Sequence, residues 1–463
     1  MTDTPAATGA TPDPLAILRS KNFIAVLVLA AVIGVVVSFV SWAFLEIVHY
    51  TQQWLFTDLP DGFGWDSIPS WWYLLVLGVA GLPVAFAIVR LPGSGGHVPA
   101  RGLQMGGTQP SVIPGVVLAG WASIGFGLVL GPEAPLITLG AGLAMYTVRL
   151  VRRDAQPQLV TVLAAAGSLA AISVIFGSPI VSAVLVIEAA GLGGPTLPLI
   201  LIPGLIAAGV GSLVFIGMSH WSGLSTAAYS LAPLELPRFA SVSWEEIGWA
   251  IAMGLAGAVT AFAVMGLGVR VSRLVPSKPF VLIPVAGLVV AALAILFEQT
   301  TDHGANQVLF SGQDALPGLV SGADTWSVGA LLMVILCKGL AWGVSMGGFR
   351  GGPTFPAIYL GAAGGIAASH LPGFSLTAGI AVGIGVMVVA VLKLPLTAII
   401  LATALTASAG LAVGPLIILG VVAAYLATLA LQGRLGPPGS LFGRAAAEST
   451  APSAVEDPPR SVQ

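Results

Sequence analysis

Charge is what this sequence has least of. Of its 463 residues, 56% are hydrophobic and only 8% are Asp, Glu, Lys or Arg, against roughly 25% in a typical soluble domain. A soluble protein of this size is excluded, because its surface would need far more polar side chains. The few charges nearly cancel, at a net −2, so no basic footprint for nucleic acid or lipid headgroups stands out. Cysteine occurs once, at Cys337, which excludes an internal disulfide framework. Histidines are scattered at 49, 97, 220, 303 and 370 without a His-x-x-x-His pair, and no nucleophile motif stands beside an acid. An intramembrane enzyme would need one or the other, so no catalytic residue, metal or cofactor is expected. A cleavable signal is also missing: residues 1–21 are polar and proline-containing, and the apolar run after them is too long for the core of a signal peptide.

What is present is long apolar runs. Residues 23–48 exceed the roughly 20 apolar residues that span a bilayer, with Glu46 their only charge. Further apolar segments lie near 71–90, 114–130, 133–151, 158–176 and 179–218, and again near 248–270, 279–297, 326–346, 354–370, 374–393 and 395–432. Glycine is abundant, at 60 residues; in a membrane this favours close helix packing and broken helices. The expected fold class is an all-α polytopic membrane protein of two inverted repeats of tilted, partly broken helices. A cytoplasmic N-terminal segment occupies 1–21, a first membrane repeat 22–218, an exposed linker 219–247, and a second repeat 248–444. The small, polar tail 445–463 reads as disordered and is too short for a regulatory domain. Arg19 and Lys21 beside the first run favour a cytoplasmic N-terminus.

Two stretches in the halves nearly spell the same word. Gly131-Pro132-Glu133-Ala134-Pro135 and Gly352-Pro353-Thr354-Phe355-Pro356 each open an apolar helix, 221 positions apart. A second correspondence, Gly177-Ser178-Pro179 against Lys393-Leu394-Pro395, comes at a spacing of 216. Paired interrupted segments in two halves point to a binding site near the bilayer midplane. A helix start there offers free amides and a positive dipole end to an anion. One start returns only about 0.3–2 kcal/mol, whereas burying a bare ion costs tens of kcal/mol in a Born estimate. Several donors must therefore converge. Three breaks can supply them: Gly93-Ser94-Gly95-Gly96, Gly131-Pro132-Glu133, and 347–353.

These residues resemble the CLC family of chloride channels and proton-coupled chloride transporters, in order over about 22–445. Gly93-Ser94-Gly95 is similar to the family's GSGIP segment, 131–135 to its G(K/R)EGP motif, 351–356 to its GxFxP motif, and 176–188 to the helix carrying its internal proton glutamate. The resemblance implies an anion site at Ser94, Gly95, Glu133, Ala134, Thr354 and Phe355, with Glu133 as the gate. Ionised, its carboxylate takes an anion's place; protonated, it swings out. Burial disfavours that charge and amide donation favours it. The bland reading of Glu133 is a capping acid.

Several positions depart from the family. Pro132 and Pro353 each remove a backbone donor, although proline suits a helix start. Thr354 replaces a phenylalanine, so its hydroxyl can stand in for a lost donor, and Phe355 can still form an apolar constriction. Arg350 is either an anion-attracting charge in a vestibule or an ordinary interfacial arginine. The internal proton glutamate falls on Ala189, with Glu188, a possible internal acid, just before it. The family's central tyrosine has no clean match; Phe442 is nearest in order, while Tyr425 and Tyr359 lie elsewhere. His97 is either a pH-dependent charge at the inner mouth or a helix-start residue. Lys338 and Lys393 read as cations that snorkel to an interface. The resemblance implies a homodimer in the lipid bilayer of the plasma membrane, carrying chloride or another small anion, channel-like or weakly coupled to protons. The alternatives are a fully coupled chloride/proton antiporter and a secondary transporter of another inverted-repeat fold.

Overall fold

The computed structural model describes residues 20–102, 109–191, 193–194, 197–223 and 231–437. The expected tail at 445–463, Phe442 and almost all of segment 1–21 lie outside them. The first half contributes α1 (Lys21–Gln53), α2 (Ser70–Arg90), α3 (Ile113–Gly125), α4 (Glu133–Val151), α5 (Pro157–Phe176), α6 (Pro179–Ala189) and α7 (Leu197–Ser222). The second contributes α8 (Trp244–Leu274), α9 (Pro279–Thr300), α10 (Ala315–Ser321), α11 (Val328–Gly348), α12 (Thr354–Ala368), α13 (Leu376–Leu392), α14 (Pro395–Leu405) and α15 (Gly414–Leu435). Among the described residues, nine helical stretches are long and apolar enough to cross a membrane, and the chain is an integral membrane protein.

Local sequence sets the ends of these helices. Ser20, Ser178, Ser327 and Ser375 each accept a hydrogen bond from an amide two or three residues into the helix they open. Ser243 and Glu246 form a reciprocal capping box at the start of α8. The apolar stretches 179–218 and 395–432 each divide into two helices. Hydropathy alone does not show these divisions, because the breaks carry almost no polar residue; the second turns at Gly410, whose φ of +87° suits glycine.

The main helix contacts of one half recur in the other. The helix pair α4 and α5 packs as α12 and α13 do, α5 on α7 as α13 on α15, and α1 on α7 as α8 on α15. Close approach at two crossings depends on missing side chains. A Cβ on Gly140 would collide with the Gly167 carbonyl, and one on Gly361 with the Gly383 carbonyl. These pairs are again 221 and 216 positions apart, so the repeat spacing read from the breaks extends into the packing.

The halves are inverted. Helix α2 crosses α9 in antiparallel fashion, with Gly81 against Pro284 and Leu77 against Gly287. The end of α2 and the start of α9 are therefore on one side. Helix α8 reaches α9 through a single turn at Val275–Ser277, so α8 ends on that side, where α1 begins. Basic residues gather on this side: Lys21, Arg90, Arg149, Arg270, Arg273 and Lys278. Acids dominate the other, with Asp58, Asp61, Asp66, Glu298, Asp302 and Asp324. An excess of Lys and Arg marks the cytoplasmic side.

Candidate functional site

Two chain breaks meet where the halves join. Gly131 N–H donates to the Gly352 carbonyl at 2.8 Å, and Gly352 N–H returns a bond to Gly131 at 2.5 Å. Each break is held by a serine of the opposite half. Arg350 N–H donates to Ser123 Oγ at 3.0 Å, and Val129 N–H donates to Ser345 Oγ at 3.3 Å. Both serines are fully buried. The signal for them was present in the sequence, since each precedes its Gly-Pro word by seven or eight residues, but it is legible only once the symmetry is known.

Beyond each break a helix starts between two prolines. In α12, Pro353 is the cap, Thr354 and Phe355 are the first helical residues, and Pro356 follows. The next amide, of Ala357, already turns back to the Pro353 carbonyl. Two amides are thus left free, those of Thr354 and Phe355. In α4, Pro132 and Pro135 bracket the amides of Glu133 and Ala134 in the same way.

Glu133 reaches across to α12. Its Oε1 accepts from Thr354 N–H at 2.9 Å and from Phe355 N–H at 3.1 Å. This carboxylate is therefore held by the other half's helix start, and it is only 1% exposed. Space for it exists because Gly131 and Gly352 lack side chains: a Cβ on either would collide with Glu133 Oε2. Among the described residues that oxygen meets no hydrogen-bond partner within ordinary geometry. Phe355 is stacked on Phe176, at 5.8 Å between centroids and 8° between planes, which gives the carboxylate an apolar wall.

Among the described residues no hydrogen bond joins Ser94 or Gly95 to Glu133, Thr354 or Phe355. Ser94 is exposed with φ +49°, and its carbonyl accepts from Arg350 Nε at 3.3 Å. Arg350 also donates from Nη1 to the Phe349 carbonyl at 3.1 Å, and it is 6% exposed. This corrects the interfacial reading of Arg350. The guanidinium is buried and ties the first break to the segment before α12. His97 lies in the same region, partly buried.

Glu188 is engaged at the start of α14. Its carboxylate accepts from Leu396 N–H at 2.9 Å, Thr397 N–H at 2.8 Å and Thr397 Oγ1–H at 2.7 Å. Helix α14 has no cap of its own at Leu394, where the first half has Ser178. Glu188, at the end of α6, supplies it from the other half. Ala189 stands beside it without a titratable group.

Lys338 does not snorkel. It is fully buried, and its ammonium donates to the carbonyls of Gln307, Val308, Leu309 and Phe310 at 3.0–3.3 Å. It also lies 4.5 Å from the centre of the Tyr359 ring. Tyr359 donates its hydroxyl to Gln307 Oε1 at 2.6 Å, and so does not offer it to Glu133. Lys393, by contrast, is exposed.

The chain is similar to known proteins in sequence and in fold. A putative ion-transport protein, YfeO, of Salmonella schwarzengrund is 28% identical over 357 residues, covering 75% of this chain and 81% of its own. A slow cyanobacterial chloride/proton antiporter has a similar structure, with TM-score 0.71 and 19% identity over 90% of this chain and 96% of that one. A CLC-type fluoride/proton antiporter matches with TM-score 0.66 and 19% identity, over 87% and 95%. The sequence pattern of the voltage-gated chloride channels extends over residues 81–428, enclosing both helix starts and the carboxylate between them, and the chain belongs to that CLC family of anion-transport proteins.

Proposed function

We propose that this protein carries chloride, or another small anion, along a path that Glu133 closes when ionised and opens when protonated. The observation that carries this reading is the pair of bonds from Thr354 and Phe355 to Glu133 Oε1. A carboxylate held by two free amides is a tethered anion, and a free anion arriving there would be offered the same donors. Protonation removes the charge that those amides hold, which favours exchange for the mobile ion. With Glu133 turned away, the amides of Glu133 and Ala134 face the same junction, giving four donors.

Transport is channel-like or only weakly coupled to protons. Ala189 offers no inner acid, and the Glu188 carboxylate is occupied by three donors at the start of α14. Full chloride/proton exchange is the second reading, favoured by the two antiporters of similar structure; the fluoride exchanger among them makes fluoride the first alternative anion. A homodimer in the plasma membrane accords with the family resemblance, and light scattering of the purified protein would test the dimer. The deciding measurement is the reversal potential in liposomes under combined chloride and pH gradients. A value that follows chloride alone supports weak coupling, and uphill chloride accumulation driven by a proton gradient overturns it.

A further inference from the structure

A cavity of about 290 Å³ lies at the cytoplasmic end of the first half, between α1 and the turn from α4 to α5. Residues of α1 from Ala25 to Val32 form one wall, Leu159 of α5 faces them, and Arg152 stands where α4 ends. Arg152 is the only polar residue in the lining. The space is far larger than the roughly 30 Å³ that one water takes in the liquid, and its walls lack the several polar partners that an ordered water needs. Such a space suits a hydrocarbon chain. Val28 and Val32 are 60% and 46% exposed, so the groove is open towards the bilayer.

The register of α1 gives the groove a charged end. Ala25, Val28, Leu29 and Val32 follow Lys21 at helical spacing, so they form one stripe with the lysine at its cytoplasmic limit. From Ala25 to Val32 the helix descends about 10 Å into the bilayer. On the other side, the Arg152 backbone closes α4 through its N–H on the Val148 carbonyl at 2.8 Å. Its side chain is exposed, and among the described residues it takes part in no hydrogen bond or ion pair. Arg149 lies one turn back and Arg153 follows, with Asp154 the single acid nearby in sequence.

We infer that this groove binds an anionic phospholipid of the cytoplasmic leaflet, with one acyl chain along α1 and the phosphate on Arg152 and Lys21. An unpaired guanidinium at the mouth of an apolar slot fits a ligand that is anionic at one end and hydrocarbon along its length. The cytoplasmic leaflet supplies such molecules, and basic pockets between membrane helices on that side recognise their headgroups. The planar guanidinium can meet a phosphate with two parallel bonds. Ordinary lipid contact covers exposed side chains such as Leu213 and Leu332; what sets this place apart is a cavity with a cation at its edge. The site is independent of the gating read for Glu133.

The test places the full chain in phosphatidylcholine nanodiscs with a little phosphatidylglycerol that carries a photoreactive diazirine in its acyl chain. Adducts are mapped by peptide mass spectrometry. They are expected to concentrate on residues 25–32 and on Leu159, and unlabelled phosphatidylglycerol should displace them better than added phosphatidylcholine. Arg152→Gln should lower this labelling about fivefold at limiting probe, the contribution of one basic side chain near an anionic lipid surface, while Arg152→Lys keeps most of it. Val28→Trp fills the groove from an exposed position and should abolish labelling there with Arg152 intact; either variant serves if the other fails to fold. Glycerol phosphate, an anion without a chain, should not compete. Adducts spread evenly over the lipid-facing helices, or labelling of 25–32 unchanged in Arg152→Gln, would overturn the site. So would competition by glycerol phosphate, which marks a headgroup site without a chain, or a groove that takes no label because residues 1–19 of this chain fill it.

Discussion

Gly131 and Gly352 exchange both of their backbone hydrogen bonds, and they are separated by 221 residues, the spacing of the two Gly-Pro words. Each is thus paired with its own counterpart, which places the pseudo-two-fold axis of the protein between them. The helices that follow, α4 and α12, both start beside this point. A residue near the axis meets its own equivalent, so any difference between Glu133 and Thr354 is felt at one place. The site is symmetric in backbone and asymmetric in charge, which is what a single carboxylate needs to act as a plug.

The bare Cα atoms at this axis predict a gate that opens without touching Glu133. Gly352→Ala would put a methyl where the Glu133 carboxylate now rests. The carboxylate is expected to leave the Thr354 and Phe355 amides, and anion flux at neutral pH should rise towards that of Glu133→Gln. Liposome efflux of chloride measures this. Flux that stays low at neutral pH and still rises on acidification would show that the glycine does not make the room.

The gating proposed for Glu133 predicts a proton sensitivity of definite sign. Lower outer pH favours neutral Glu133, and neutral Glu133 gives up its two amides. Flux should therefore increase as outer pH falls and should be flat in Glu133→Gln, which resembles the protonated side chain at every pH. A Glu133→Gln protein that still opens on acidification would move the sensor elsewhere.

Much of this site was legible in the sequence. The repeated words, the lone carboxylate at Glu133 and a helix start at Thr354 and Phe355 with free amides all follow from residue type and spacing. The direction of the Glu133 side chain does not, because reaching across to α12 depends on where the second half folds. For the same reason the capping contacts of Glu188 are hidden in the sequence: its partners at Leu396 and Thr397 are more than 200 residues away. Lys338 misleads differently. A lone lysine in an apolar run normally reaches for water, and only a carbonyl cluster from a distant segment makes burial tolerable.

That cluster makes Lys338 a strong determinant of stability. Lys338→Met keeps the length but leaves four carbonyls without their donor. Leaving a buried polar group unsatisfied costs about 1–3 kcal/mol, and part of this is recovered by relaxation, so a loss on the order of 3 kcal/mol is expected. Thermal unfolding in detergent should show a clearly lowered midpoint. An unchanged midpoint would mean that the carbonyls find other donors at no cost.

Glu188 gives the sharpest contrast between a structural and a proton-handling role. Glu188→Gln retains one oxygen for Thr397 and should fold with a cost below that of Glu188→Ala, which strips the α14 start of its only side-chain acceptor, a loss of about 1–2 kcal/mol by analogy with other caps. Neither change should alter the reversal potential under a pH gradient, because the carboxylate is engaged by three donors at the start of α14. The stability order and the reversal potential are independent readouts of the same two variants. A shift of the reversal potential in Glu188→Gln, with stability intact, would return Glu188 to the proton route and make the transport more tightly coupled than its neighbour Ala189 suggests.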